Sequence, residues 1–138
     1  MLHSGWAGLG ETELPDSIHR LRYAPHRWLF PQMAAVVHHA GAGTTAAALR
    51  AGVPSVPVPH SGDQPFWARR LHELGAAARP LPRGRLEAGA LAERVSKAVG
   101  DARLRDRARE LSAKIGAEDG EDRIACVIGE ILRQADPN

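Results

Sequence analysis

The amino-acid sequence predicts an α/β fold, a doubly wound parallel sheet with flanking helices that ends in a helical C-terminal tail. Three observations carry this. Short apolar runs bounded by glycine or proline alternate with helical stretches, as in βαβ units. One run leads into a Gly-Ala-Gly turn that opens a helix. The last third repeats apolar residues at helical spacing with no further strand signal.

Taken in order, Leu2 to Ser4 reads as the end of a strand, followed by the loop Gly5-Trp6-Ala7-Gly8-Leu9-Gly10. An α/β pattern that begins in the middle of a unit implies preceding strands or helices. Residues 1–138 are therefore expected to be one domain cut short on its N-terminal side. Ile18 to Tyr23 reads as a second short strand, stopped by Pro25. Ala34 to His39 suits a buried parallel strand. The alanine-rich stretch after it predicts a short helix with Thr44 near its start and Gly52 as its stop. Val53 to Pro59 is extended, and its prolines predict an edge or irregular strand. Asp63 to Leu74 reads as a helix closed by Gly75, with another extended piece over Ala76 to Leu81.

Three apolar helical faces follow. Leu86, Leu91, Val95 and Val99 form the first; Leu104, Ala108, Leu111 and Ile115 the second; Ile124, Val127, Ile128, Ile131 and Leu132 the third. Asp101 and the pair Glu118-Asp119 stand where helix N-termini favour caps and negative charge.

Composition narrows the function classes. An apolar share of 43% with 25% charged residues is that of a globular domain. Aromatics are only 4%, so the core is expected to rest on Ala, Val, Leu and Ile, with Trp28-Leu29-Phe30 packed into it. Eighteen Lys and Arg are offset by sixteen Asp and Glu, which argues against a nucleic-acid-binding stripe. No apolar run reaches the roughly 20 residues of a membrane span, and Met1 leads straight into a glycine-rich stretch without a signal peptide. A cytoplasmic address is expected. The single cysteine, Cys126, has apolar neighbours and is expected to be a packed thiol. Seven histidines raise the question of a metal, but none are spaced His-x-x-x-His. His38 and His39 are adjacent, so on a strand they point to opposite faces and cannot share an ion. No metal is expected.

The chemistry concentrates in His39-Ala40-Gly41-Ala42-Gly43-Thr44. A strand that turns through glycines into a helix brings backbone close to an anion and offers unpaired N–H groups aligned with the helix dipole. His39 and Thr44 can add donors. Asp63-Gln64 sets a carboxylate beside an amide, suited to bracketing adjacent sugar hydroxyls. Tyr23 or Trp28 offers a flat face for a nucleobase. Gly41-x-Gly43-x-x-Ala46 with Asp63 downstream also fits a dinucleotide fingerprint. Against that alternative, Asp63 follows a loop and starts a helix instead of ending a strand.

Taken together, the stretch YAPHRWLFPQMAAVVHHAGAGTTAAALRAGVPSVPVPHSGDQPFW, residues 23–67, resembles the donor-binding signature of UDP-dependent glycosyltransferases. It is most similar to the sterol glucosyltransferases and the macrolide and glycopeptide antibiotic glycosyltransferases. SGWAGLG at residues 4–10 and Glu118-Asp119-Gly120 resemble two further motifs of that family. The resemblance implies the Rossmann-like C-terminal half of a GT-B enzyme. Such a half binds a UDP- or TDP-sugar, while a separate domain holds a lipophilic hydroxyl acceptor such as a sterol or polyketide. By position it implies that His39, Gly41, Ala42, Gly43, Thr44 and Thr45 hold the diphosphate and that Asp63 and Gln64 contact the sugar. Tyr23, Ala24 and His26 would meet the base and ribose, and Ser4, Gly5 and Trp6 would line the other wall. It implies transfer without cofactor or metal. No catalytic residue is expected in this chain, because the family's base is a histidine of the absent N-terminal domain. A separate acceptor-domain polypeptide, or a non-catalytic nucleotide-sugar-binding role, is the alternative.

The departures are specific. Ala47 stands where plant relatives carry a ribose-binding Glu, and His60-Ser61 replaces a bulkier pair. Ala40 replaces a common Gly, which reads as a mild change.

Overall fold

A computed structural model describes residues 1–3, 13–118 and 120–135. Its elements are β1 (Leu2–His3), β2 (Arg20–Leu21), α1 (His26–Leu29) continued by a 3-10 turn (Phe30–Gln32), β3 (Val36–His38), α2 (Ala42–Ala51) and β4 (Ser55–Pro57). There follow α3 (Gln64–Glu73), a second 3-10 turn (Arg83–Arg85), α4 (Ala88–Gly100), α5 (Ala102–Gly116) and α6 (Gly120–Ala135). The α/β alternation and the helical tail are as expected. The strands are shorter than expected, and among the described residues they form two parallel pairs, β1 with β2 and β3 with β4.

The β3–β4 pair is the centre of the domain, with Val36 opposite Ser55 and His38 opposite Pro57. Leu29, Phe30, Val36, Ala48 and Val53 form one core cluster, which brings α1 and α2 onto one side. Val56, Ala78 and Ala98 form another, against which Leu91 and Val95 of α4 pack. As the low aromatic content predicts, much of the core is alanine, including Ala48, Ala68, Ala98 and Ala108. Small side chains let backbones approach closely but each buries little apolar area.

Of the edge or irregular strand expected over Val53–Pro59, the irregular reading holds, since only Ser55–Pro57 is strand, and the exposed-edge reading does not. Pro54, Val56 and Pro57 are fully buried, and β4 has β3 on one side and Ala77 bridged to Ser55 on the other. The prolines still accept through their carbonyls, Pro54 O from Val36 N at 3.0 Å and Pro57 O from Leu81 N at 2.9 Å, while donors of the stretch include Ser55 N to Ala76 O at 3.0 Å and Val58 N to His38 O at 2.8 Å.

Helix ends follow local chemistry. Asp101 caps α5 by accepting Arg103 N at 3.0 Å, and its hydrogen bonds to Arg103 hold its carboxyl below the usual range. Gly52 closes α2 in the left-handed conformation at φ 67°. A Cβ there would lie 3.3 Å from Ser112 Cβ and 3.4 Å from the Arg109 Cα on α5. α5 is further tied to α2 by Ser112 Oγ donating to Arg50 O at 2.7 Å. Gly52→Ala is therefore expected to destabilise the fold by about 1–2 kcal/mol, mainly from left-handed strain, read as a lower urea midpoint.

Three packing expectations are corrected. Trp28 is 62% exposed while its neighbours Leu29 and Phe30 are buried, because a four-residue helix turns only part of its surface inward. Leu86 and Val99 stay exposed at the margins of the α4 face. On α6, Ile124, Val127, Ile128, Ile131 and Leu132 are all exposed, and Cys126 with them, so the thiol is not packed. Among the described residues, no helix is long and apolar enough to cross a membrane.

Candidate functional site

β3 and β4 are parallel neighbours, so the loops leaving their carboxyl ends emerge at the same edge of the sheet. That edge is where open α/β sheets bind ligands. One loop is His39–Gly41 leading into α2, and the other is Val58–Asp63 leading into α3.

The first loop is built around an alternation. His38 points inward and is 8% exposed, whereas His39 is exposed. His39 lies over Gly41 so closely that a Cβ on Gly41 would fall 2.4 Å from its Nε2. Gly41 therefore allows the imidazole to fold over the helix start. α2 begins with Gly41 as N-cap, with no side-chain cap and no acidic residue in its first turn. Its first internal bond is Thr45 N to Gly41 O at 2.9 Å. Among the described residues, the N–H groups of Ala42, Gly43 and Thr44 are left without acceptors, so the positive end of the helix faces outward. Thr45 is 3% exposed, and its hydroxyl has no partner. Thr45 thus lies beneath the start of α2, while Ala42 and Gly43 are exposed.

Ala40 is not a mild replacement. It is fully buried at φ 65°, and among the described residues no other non-glycine has a positive φ. That conformation costs an L-residue roughly 1–2 kcal/mol. Ala40 N donates to His38 Nδ1 at 3.1 Å, and His38 Nε2 lies 3.0 Å from Ser55 Oγ on β4. Burial, followed by the charges of His39 and His26, pushes the His38 pKa down to about 4. Sequence reasoning overlooked both His38 and Ser55. The signal was available, since two adjacent histidines at a strand end cannot both face a ligand.

The second loop is pinned by Gln64, whose Oε1 accepts His60 N at 2.8 Å and Ser61 N at 3.2 Å. The carbonyl is thereby committed to the loop, and the amide NH2 remains as the donor end of the side chain. Asp63 sits at the N-cap of α3 without capping it, and Oδ2 instead accepts Trp67 Nε1 at 2.9 Å. Its other oxygen is available, and the residue is exposed. Asp63 thus opens a helix after a loop, which removes the strand-end acid that a dinucleotide site requires.

Tyr23 is 81% exposed at the end of β2. Ala24 packs against the α1–α2 core cluster. The ring of His26 stacks on Phe30 at a centroid distance of 4.5 Å and 16° between planes, which fixes its orientation. Ser4, Gly5 and Trp6 lie outside the described residues, as does Asp119.

The family described as "Erythromycin biosynthesis protein CIII-like, C-terminal domain" matches residues 7–130. O-mycaminosyltylonolide 6-deoxyallosyltransferase of Streptomyces fradiae is 50% identical over 120 residues, covering 87% of this chain and 28% of the relative. A sterol 3-beta-glucosyltransferase of Arabidopsis thaliana is 40% identical over 121 residues, covering 87% of this chain and 19% of the relative. The chain thus spans less than a third of the length of these relatives. Among solved structures, the glycosyltransferase VinC in complex with DTDP superposes with a TM-score of 0.78 at 28% identity, covering 96% of this chain and 32% of that one. The calicheamicin glycosyltransferase CalG4 gives a TM-score of 0.80 at 29% identity, covering 95% and 34%.

Proposed function

We propose, from the premise that this chain belongs to the erythromycin biosynthesis protein CIII-like C-terminal domain family, that it is the nucleotide-sugar-binding part of a glycosyltransferase. The observation that carries the reading is the uncapped start of α2 beneath His39, an anion site at the carboxyl edge of a parallel sheet. The relative bound to DTDP supports a nucleoside diphosphate as its ligand. The donor is a UDP- or TDP-hexose, and the acceptor is a lipophilic hydroxyl such as a sterol or polyketide.

In transfer, a base outside residues 1–138 removes the acceptor proton, and the acceptor oxygen attacks the anomeric carbon. The bond from that carbon to the diphosphate oxygen breaks, and its electron pair leaves with the diphosphate. The N–H groups of Ala42, Gly43 and Thr44, with His39, receive the developing charge, a stabilisation that works because the donors are already in place. Asp63 and the Gln64 NH2 hold the sugar hydroxyls, and Tyr23 stacks on the base. The reaction calls for no cofactor or metal, and a cytoplasmic address is part of the reading.

Calorimetric titration of the chain with UDP, TDP and NAD tests this. UDP or TDP is expected to bind and NAD is not; binding of NAD alone would move the assignment to a dinucleotide domain. Asp63→Ala is expected to weaken a UDP-hexose by about 1 kcal/mol while leaving UDP unchanged. An equal loss for both ligands would remove Asp63 from the sugar subsite.

A further inference from the structure

We infer that His38, which faces away from the ligand edge, is the positioning residue of the phosphate loop, holding the turn at Ala40 that aims the start of α2 and carries His39. This deepens the donor-site reading and rests on it.

Ala40 occupies a left-handed conformation that no feature of its own side chain favours, so its neighbours must hold it there. The described contact that does so is its N–H, donating to His38 Nδ1 at 3.1 Å. Only a ring whose Nδ1 is unprotonated can accept that bond, so the proton of the neutral imidazole sits on Nε2. Nε2 then donates to Ser55 Oγ at 3.0 Å. Ser55 is itself immobile: it is 1% exposed, its N donates to Ala76 O at 3.0 Å, and its O accepts Ala78 N at 2.9 Å. A continuous chain of bonds therefore runs from the middle of β4, through one tautomer of His38, to the backbone of the loop. Two residues further on, the exposed N–H groups of α2 begin. The low pKa of His38 is consistent with this, since it keeps the ring neutral and able to accept.

A residue that merely fills space and one that holds the loop through Nδ1 respond differently to two amide replacements. His38→Asn places an acceptor oxygen near the position of Nδ1, whereas His38→Gln reaches toward Ser55 and offers Ala40 nothing. Amide hydrogen exchange at Ala40 and nucleotide affinity are measured for both, alongside the 15N spectrum of the wild-type imidazole. His38→Asn is expected to keep Ala40 protected and UDP or TDP affinity within about threefold of wild type. His38→Gln is expected to lose the protection and roughly tenfold or more in affinity, the scale of one lost hydrogen bond to a binding loop. Equal protection and equal affinity in the two variants overturn the inference.

If either variant fails to fold, the wild-type spectrum decides. An Nε2–H tautomer with a slowly exchanging Ala40 amide supports the role, and an Nδ1–H tautomer overturns it. If wild-type chain binds neither UDP nor TDP, the donor-site reading fails, while the exchange and tautomer measurements still judge His38.

Discussion

Lowering the pH from 6.5 to 4 is expected to cost the fold about 3 kcal/mol through His38 alone. In the unfolded chain this histidine titrates near 6.5, and in the folded protein near 4. The folded state therefore favours the neutral ring, and the unfolded chain binds the extra proton in the interval between the two values. The contribution is fully present above pH 6.5, shrinks as the pH falls through the window, and is gone below about 4. At about 1.4 kcal/mol per pH unit, a window of this width yields the figure above. Burial is the leading cause, and the charges of His39 and His26 add to it. Urea unfolding at a series of pH values checks the result, with His38→Asn as the reference lacking the titrating group. A wild-type slope equal to that of the variant would show that His38 is not the group responsible.

Gly41→Ala is expected to weaken UDP or TDP binding by roughly tenfold to a hundredfold, as His39→Ala does, while leaving stability within about 1 kcal/mol. Gly41 has φ −64° and ψ 148°, which alanine adopts without strain. The new Cβ meets the far end of the His39 side chain, which rotates away at little cost to the fold. What is lost is the imidazole above the helix start. Because both changes remove the same interaction, the double variant is expected to bind little worse than either single one. Calorimetry on all four proteins tests this, and additive losses would mean that Gly41 and His39 serve the ligand separately.

The strand-to-helix turn after β3 was legible because its signal is local: an apolar strand, glycines without side chains and an alanine-rich helix occur within a dozen residues. The second loop was only half legible. Asp63 and Gln64 were identifiable as polar groups at a helix start, but the use of the Gln64 carbonyl to tie down His60 and Ser61 depends on a turn that no spacing rule encodes. β4 was half read: its prolines do leave it short and irregular, but they gave no sign that it would be buried, with Ser55 and Val58 supplying donors of the stretch. Trp28 was misplaced because aromatic residues usually pack inward, whereas a single helical turn had room to bury only Leu29. The strain at Ala40 was invisible because alanine gives no hint of a positive φ, and only its bond to His38 explains how it persists.

The prolines of β4 also matter for the chain before it folds. Val53-Pro54-Ser55-Val56-Pro57-Val58-Pro59 is rich in valine and free of charge, the composition from which cross-β aggregates grow. Three positions of the seven lack the N–H that an intermolecular ladder would need at every rung. In the native sheet donors of this stretch include Ser55 N, to Ala76 O, and Val58 N, to His38 O. On a nascent or unfolded chain the prolines break the hydrogen-bond register that another molecule would template against, so the central strand of the domain carries its own protection from self-association.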